Sequence, residues 1–126
     1  MRILIAEDDF ASRRFLEILL SQYGDCFSVV DGLEMLKVFN NALKANKIFD
    51  LICIDIMLPK VDGIKALSVI RETEKKMKVS QKSIIIMTSA LNDDEIIKKC
   101  YQEGCNEYLW KPIKSEIIKK SIESLV

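Results

Sequence analysis

The sequence predicts a doubly wound α/β fold with five parallel strands and five helices. Five short apolar runs alternate with longer segments in which apolar residues recur at helical spacing. Most of the runs are continuously apolar, as is typical of strands that are buried on both faces of a parallel sheet. The regular alternation favours right-handed crossovers, with helices on both sides of the sheet.

The strands are predicted where the apolar runs lie, at residues 3–6, 27–30, 51–54, 84–87 and 108–110. Each helix is predicted from a stripe of apolar residues three or four positions apart, and the stripes are expected to pack in the core. In chain order they are Phe15, Leu16, Leu19 and Leu20; Leu36, Phe39 and Leu43; Ile64, Leu67 and Ile70; Ile96, Ile97, Cys100 and Tyr101; and Ile117, Ile118, Ile122 and Leu125.

Residues that break or cap helices fall between the predicted elements. Gly24-Asp25 is expected to end the first helix, and Gly104 is expected to end the fourth. Asp62 is expected to cap the amino end of the third helix. The lysine-rich stretch from 74 to 82 is interpreted as a solvated helix end and loop.

The size and composition predict a single globular domain, residues 1–126. With 49% apolar residues, four Gly and two Pro, the chain can bury a proper core. Nineteen basic and nineteen acidic residues give zero net charge, so no overall electrostatic signal points to nucleic acid or to an anionic membrane. No apolar run has the length of a membrane span or the pattern of a signal peptide, which predicts a cytoplasmic location.

Cysteine and histidine usage excludes several kinds of site. The four cysteines form no CxxC pair and histidine is absent, which excludes the usual zinc sites and every histidine-based catalytic triad. We expect the cysteines to be free thiols that serve as small apolar residues rather than as redox groups. They are Cys26, Cys53, Cys100 and Cys105.

Chemically informative residues follow four of the five predicted strands. The acidic run 7–9 follows the first strand, Asp55 the third, Thr88 and Ser89 the fourth, and Lys111 the fifth. Because ligands of open α/β sheets bind beyond the carboxyl ends of the strands, these residues are expected to converge on one edge.

The predicted cluster has the groups needed for phosphoryl transfer. Carboxylates so close together repel one another, so either their pKa values rise or a cation joins them. All-oxygen ligands favour a hard ion such as Mg²⁺. A metal-bound acid cluster beside a lysine suits phosphoryl transfer, and a carboxylate can itself accept the phosphoryl group.

Each of these residues has an ordinary structural explanation when it is taken alone. Asp8 or Asp9 could cap the first helix, and Asp55 could cap a turn. Thr88 could be a plain strand residue, and Lys111 could be solvated. The combination of compatible groups at four strand ends favours the functional interpretation.

Taken in order, the motifs of the chain resemble the receiver domain of response regulators in two-component signalling, over essentially all 126 residues. The resemblance implies a flavodoxin-like sheet in the order 2-1-3-4-5. A stand-alone, chemotaxis-regulator-like receiver is expected, since one helix follows Lys111-Pro112 and no second module does. The motifs are Ile3-Leu4-Ile5-Ala6-Glu7-Asp8-Asp9, Asp50-Leu51-Ile52-Cys53-Ile54-Asp55-Ile56-Met57-Leu58-Pro59, Val61-Asp62-Gly63, Met87-Thr88-Ser89-Ala90 and Tyr108-Leu109-Trp110-Lys111-Pro112.

The resemblance also implies an acceptor and a metal site. Asp55 would accept a phosphoryl group from the phosphohistidine of a partner. Glu7 and Asp8 would hold Mg²⁺, with Asp8 as a direct ligand, together with Asp55 and the backbone carbonyl of Met57. The chain would thus be a regulatory phosphoprotein that catalyses only its own phosphorylation and dephosphorylation.

Further residues match the family's switch. Thr88 would bond one phosphoryl oxygen, and Lys111 would pair with another. Tyr108 matches the aromatic residue that changes rotamer as the threonine moves, and the bond from Lys111 to Pro112 would be cis. Two residues depart from the family's pattern, since Ser89 and Trp110 are bulkier than usual. A third departure is Glu7, which stands where aspartate is commoner.

The expected partners are proteins. A sensor histidine kinase or a phosphotransfer protein would supply the phosphoryl group. The downstream partner is expected on the face made by the fourth helix, the fifth strand and the fifth helix, with Lys98, Tyr108 and Lys114 as candidate contacts. Neither direct nucleic-acid binding nor membrane binding is expected.

Alternative interpretations are weaker but specific. The chain could be a receiver excised from a larger regulator or from a hybrid histidine kinase. A Mg²⁺-dependent phosphatase with an aspartyl nucleophile would want a second carboxylate where Met57 stands. A flavin mononucleotide carrier would not place the acidic run 7–9 beside a phosphate. Neither GxGxxG after the first strand nor GxxxxGK[ST] occurs, so dinucleotide and Walker-type nucleotide binding lack support.

Overall fold

The computed structural model describes all 126 residues and confirms the predicted alternation of strand and helix. Each strand is followed by one helix, and the helices contain 9 to 14 residues. The elements are β1 (Arg2–Ala6), α1 (Phe10–Leu20), β2 (Asp25–Val29), α2 (Gly32–Lys44), β3 (Leu51–Asp55), α3 (Gly63–Lys76), β4 (Ile84–Ser89), α4 (Asp94–Gln102), β5 (Glu107–Trp110) and α5 (Ser115–Leu125).

The five strands form one parallel sheet in the order β2-β1-β3-β4-β5, as expected. The chain moves outward from β1 to β2 and then returns past β1 to β3, so the direction of winding reverses between β1 and β3. A crevice at the carboxyl ends of the strands is expected at such a reversal. The acidic residues after β1 and at the end of β3 lie at this position.

Apolar side chains fill both sides of the sheet. Helices α2, α3 and α4 pack on one side through residues such as Phe39, Leu67 and Cys100. Helices α1 and α5 pack on the other side through residues such as Leu20 and Ile118. All five residues of β3 are buried, which explains why its sequence shows no polar alternation.

Aspartate side chains cap four of the five helices. Asp9 accepts a hydrogen bond from the backbone N–H of Ser12, so Asp9 caps α1 and leaves Asp8 free of that role. Asp62 caps α3 by accepting from the backbone of Lys65, as predicted. The other two capping residues are Asp31 and Asp93. These caps satisfy backbone donors that a helix leaves unpaired at its amino end.

The ends of two helices differ in how well the sequence predicted them. Gly104 has a φ of +106° and directly follows the C-cap of α4, which confirms its predicted role. Helix α1 ends at Leu20, earlier than the predicted stop at Gly24-Asp25. Gly24 lies in the turn before β2, and Asp25 is the first residue of that strand.

Several residues of the predicted apolar stripes are exposed. Phe15, Tyr101 and Ile117 are between 38% and 50% exposed, although the stripes were predicted to lie in the core. Each sits beside a fully covered neighbour of the same stripe, because only a narrow strip of each helix faces the sheet. Phe15 instead lines a surface cavity of about 460 Å³ that also reaches Lys111 and Ala90.

The interpretation of the lysine-rich stretch 74–82 as solvated is wrong for Glu74. It is only 2% exposed, and its carboxylate accepts hydrogen bonds from Arg71 at 2.7 Å and from the backbone N–H of Ser83 at 2.8 Å. The Arg71 guanidinium also donates to the carbonyl of Gly104 and to the side chain of Asn106. This network joins α3 to the beginning of β4 and to the α4–β5 loop.

The cysteines are free, as predicted, and three of the four are buried. Burial raises the pKa of Cys53 and that of Cys105 to about 12, which leaves both thiols protonated and unreactive. None of the helices combines the length and the apolar character needed to cross a membrane.

Candidate functional site

Two acidic residues that follow β1 and one that ends β3 meet at the carboxyl edge of the sheet. Ala6 of β1 pairs with Ile54 of β3, so the residues that come next, Glu7 and Asp55, are neighbours. Oxygen atoms of Glu7, Asp8 and Asp55 all lie within 4.8 Å of one another. The structure therefore brings together the carboxylates that the sequence analysis selected.

Asp55 is buried at the end of β3, with 6% of its surface exposed. Its Oδ1 accepts a hydrogen bond from the backbone N–H of Met57 at 3.2 Å, and its Oδ2 lies 3.4 Å from Lys111 Nζ. A Cβ at Gly63, the first residue of α3, would lie 2.3 Å from the backbone oxygen of Asp55. Glycine at this position therefore allows the amino end of α3 to approach the end of β3.

Lys111 and Glu7 form a close ion pair beside Asp55. Lys111 Nζ lies 2.5 Å from Glu7 Oε1, and Glu7 is 1% exposed. Burial raises the pKa of Glu7; the hydrogen bond from Lys111 opposes the increase, and the charge of Asp55 adds to it. Burial alone would lower the pKa of Lys111, but its contacts with Glu7 and Asp55 outweigh that effect and raise it. The lysine therefore remains protonated at neutral pH.

Thr88 lies next to Asp55 because the two residues pair directly between β4 and β3. Thr88 is the fifth residue of β4 rather than the first residue after it, and it is buried. Its hydroxyl makes only a long contact, 3.5 Å, with the carbonyl of Ile54. The hydroxyl is therefore only weakly held.

The end of β5 completes the site. The bond from Lys111 to Pro112 is cis, as expected. Tyr108 is buried, and its hydroxyl donates to the carbonyl of Leu91 at 2.5 Å. Burial also raises the pKa of Tyr108, so this hydroxyl stays protonated and able to donate. Tyr108 is thus a poor candidate for a surface contact in this state, contrary to its place among the predicted contacts.

Comparison with known families decides what kind of domain carries this site. The sequence profile of the family described as the response regulator receiver domain matches residues 3–123. The chain is a response regulator receiver domain. The site therefore belongs to a domain of two-component signalling. It contains two acidic residues, a central aspartate, a threonine and a lysine.

Similar sequences include both short and long proteins. The chemotaxis protein CheY of Treponema pallidum is 32% identical to this receiver domain over 130 residues, which cover 99% of this chain and 82% of that protein. Hybrid signal transduction histidine kinase L of Dictyostelium discoideum is 30% identical over 97% of this chain, which spans only 7% of that kinase. Receiver domains of this sequence type therefore occur both in small proteins and within much longer ones.

Solved structures agree on the fold. A complex of CheX with CheY, beryllofluoride and Mg²⁺ from Borrelia burgdorferi contains a chain with 26% identity and a TM-score of 0.85, covering 99% of this chain and 88% of that one. A complex of the Saccharomyces cerevisiae phosphotransfer protein Ypd1 with the receiver domain of Ssk1 contains a chain with 26% identity and a TM-score of 0.86. That match covers 97% of this chain and 86% of the other.

The carboxylates of this receiver domain fit a hard divalent cation. Three carboxylates within 4.8 Å are more negative charge than one lysine balances, and oxygen atoms are the ligands that Mg²⁺ prefers. Asp8 is exposed, whereas Glu7 and Asp55 are buried, so the cluster opens to solvent on the side of Asp8. Met57, two residues after Asp55, is exposed, and its backbone carbonyl lies in the loop that follows β3.

Two supports of the site were not foreseen from the sequence. The Arg13 guanidinium donates to the carbonyls of Glu7 and Asp8, at 3.2 and 3.3 Å, and so braces the loop after β1. The backbone N–H of Gly32 donates to the carbonyl of Pro59 at 3.1 Å, which ties the amino end of α2 to the loop after β3. No sequence pattern indicates the Arg13 contact, since arginine on a first helical turn is usually solvated.

Proposed function

We propose that Asp55 accepts a phosphoryl group from a histidine of a sensor kinase or of a phosphotransfer protein, in a Mg²⁺-dependent reaction. The observation that carries this proposal is the position of Asp55 Oδ2, 3.4 Å from Lys111 Nζ and beside Glu7, Asp8 and Thr88. Glu7 is the weaker candidate, because its carboxylate accepts a close hydrogen bond from Lys111 at 2.5 Å, whereas Asp55 Oδ2 lies 3.4 Å from the same ammonium.

The transfer needs one bond to form and one to break. A carboxylate oxygen of Asp55 attacks the phosphorus atom, and the bond from phosphorus to the donor's imidazole nitrogen breaks. The electron pair of that bond stays on the imidazole, which takes up a proton, and Asp55 becomes an acyl phosphate. Hydrolysis of the acyl phosphate returns the carboxylate, so the chain acts as a phosphorylated regulator that turns over only its own aspartate.

Side chains around Asp55 supply the electrostatic part of the reaction. Glu7, Asp8 and Asp55, with the backbone carbonyl of Met57, are the proposed Mg²⁺ ligands. When bound, Mg²⁺ neutralises the charge that builds up on the phosphoryl oxygens. The Lys111 ammonium faces Asp55 already and pairs with one phosphoryl oxygen.

Thr88 and Tyr108 are the proposed switch. The Thr88 hydroxyl is weakly held, and it turns toward a phosphoryl oxygen once Asp55 is modified. Tyr108 follows because its hydroxyl is bonded to the loop that begins after β4. A change at Asp55 thereby reaches the face formed by α4, β5 and α5, where the downstream protein partner docks.

The exposed Lys98 and Lys114 are the proposed contacts on that face. Charge reversal at both lysines is expected to weaken binding of the phosphorylated chain to its partner. We further propose that residues 1–126 act in the cytoplasm as a single, stand-alone receiver. The alternative is a receiver within a larger regulator or hybrid kinase, which the kinase relative favours because its similarity covers one small part of that protein.

A phosphorylation assay tests the proposed acceptor. Incubation with acetyl phosphate and Mg²⁺ is expected to add one base-labile phosphoryl group, seen by intact mass, and Asp55→Asn is expected to abolish it. Asp9→Asn is the matched control, because asparagine caps a helix about as well as aspartate and Asp9 lies outside the proposed ligand set. Equal labelling of the Asp55→Asn variant would refute the assignment.

A further inference from the structure

Two aromatic side chains of β5 hold the loop that follows β4. Tyr108 donates its hydroxyl hydrogen to the carbonyl of Leu91, and the Trp110 indole N–H donates to the carbonyl of Ala90 at 3.1 Å. The two aromatic residues are two positions apart on one strand, so they lie on the same face of the sheet. Two successive carbonyls of the loop therefore each accept a hydrogen bond from β5.

A third contact fixes the same loop from β4. Ser89 is fully buried, and its hydroxyl oxygen accepts a hydrogen bond from the backbone N–H of Leu91 at 3.0 Å. The carbonyl of Ser89 accepts from the backbone N–H of Lys111 at 2.8 Å. The loop and the end of β5 are thus joined on both sides of Trp110.

Trp110 is held in a different way from a core aromatic residue. It is 58% exposed, so burial alone does not determine the position of its ring. The hydrogen bond to Ala90 adds a specific constraint, because the indole has a single donor and that donor is engaged. Trp110 therefore joins the strand end that carries Lys111 to the loop that follows Thr88.

We propose that Trp110 is a positioning residue for phosphoryl transfer. By holding the carbonyl of Ala90, it fixes the loop in the arrangement in which Thr88 and Lys111 both lie beside Asp55. The inference rests on the proposed function of Asp55. The contact from Trp110 to Ala90 is retained while the side chains of Thr88 and Tyr108 turn, so the loop loses less conformational freedom when the phosphoryl group binds, and this favours the modified state.

Removal of the indole donor tests this role. Trp110→Phe keeps an aromatic ring but loses the N–H, and β-(3-benzothienyl)alanine at the same position keeps the indole shape with sulfur in place of N–H. Both are expected to weaken binding of beryllofluoride with Mg²⁺ about fivefold by calorimetry, the effect of one hydrogen bond of ordinary net strength. Hydrogen exchange of the Leu91 amide is expected to accelerate by a similar factor, because it reports local opening of the loop.

The control is Tyr101→Phe, which removes a neighbouring hydroxyl that contacts the backbone of Tyr108 and does not reach the loop. It is expected to leave both measurements unchanged. Wild-type beryllofluoride affinity or wild-type Leu91 exchange in both donor-free variants would overturn the role of Trp110. A wild-type chain that forms no acyl phosphate would refute the proposed function instead, and this is established before the variants are compared.

Discussion

Lys111 Nζ and Glu7 Oε1 lie 2.5 Å apart, and this ion pair places the lysine beside Asp55 before any ligand is bound. The same ammonium is 3.4 Å from Asp55 Oδ2. Glu7 therefore has two consequences in the site: it contributes negative charge near the proposed metal, and it fixes the position of the lysine. A glutamate at this position, where aspartate is commoner, is therefore compatible with the proposed site, because its carboxylate reaches the ammonium.

The ion pair predicts a pH effect in Lys111→Met. The pKa of Glu7 is raised above 4.5, so the folded chain binds a proton that the unfolded chain has lost, and stability falls as the pH rises through that window. Lys111 opposes the increase, so its removal is expected to raise the titration midpoint of Glu7 further and to widen the window. The carboxyl carbon shift of Glu7, followed by NMR, measures this. Lys114→Met, at an exposed lysine, is the control, and an unchanged midpoint in Lys111→Met would contradict the prediction.

Asp8→Ala is expected to weaken Mg²⁺ binding tenfold or more, on the order of the loss seen when metal-site residues are removed. Without Mg²⁺ the variant is expected to be more stable by about 0.5 kcal/mol, because one of three crowded carboxylates is gone. Calorimetry and urea unfolding measure the two effects. Asp25→Ala, which removes an exposed acid at the start of β2, is the control. Unchanged Mg²⁺ affinity in Asp8→Ala would exclude this residue as a ligand.

Trp110 is the only tryptophan, so its emission reports on the switch. Addition of beryllofluoride with Mg²⁺ is expected to change the emission, because Thr88 and Tyr108 repack and the indole lies beside the loop they share. The change is expected to vanish in Asp55→Asn and to shrink in Thr88→Ala, whereas Thr88→Ser retains the hydroxyl and the signal. A change that persists in Asp55→Asn would mean that the indole senses free metal or fluoride.

Arg71→Met tests the buried network that joins α3 to β4. It leaves the Glu74 carboxylate buried without its cation, which is expected to cost about 3 kcal/mol of unfolding free energy. Lys99→Met breaks the exposed pair with Glu103 and is expected to cost less than about 0.5 kcal/mol. Urea unfolding compares the two variants, and similar losses would show that the Arg71 network adds nothing beyond a surface pair.

Much of the fold could be predicted from the sequence, because buried parallel strands and amphipathic helices leave strong patterns. The continuous apolar character of the third and fourth predicted strands was sufficient to place Asp55 and Thr88 at the same edge of the sheet, where the structure pairs them directly. The convergence of Glu7 and Lys111 followed from the same rule about the carboxyl ends of parallel strands.

The remaining features depend on contacts that sequence spacing does not encode. Arg71 reaches the carbonyl of Gly104, 33 residues away in the chain, so nothing near Glu74 signals that this glutamate is buried. The exposure of Phe15 and Ile117 depends on how much of each helix the sheet covers, and helical periodicity gives only the direction of the apolar stripe. The contact from Trp110 to Ala90 depends on a side-chain rotamer and on the path of a loop.

Mapping the modified residue tests the central claim most directly. After reaction with acetyl phosphate and Mg²⁺, reduction with borohydride converts an aspartyl phosphate to homoserine, which peptide mass spectrometry locates within the chain. The account predicts homoserine at position 55 alone, and none when Mg²⁺ is replaced by a chelator. Homoserine at position 8 or 9, or a phosphoryl group on a hydroxyl side chain with Asp55 unmodified, would contradict it.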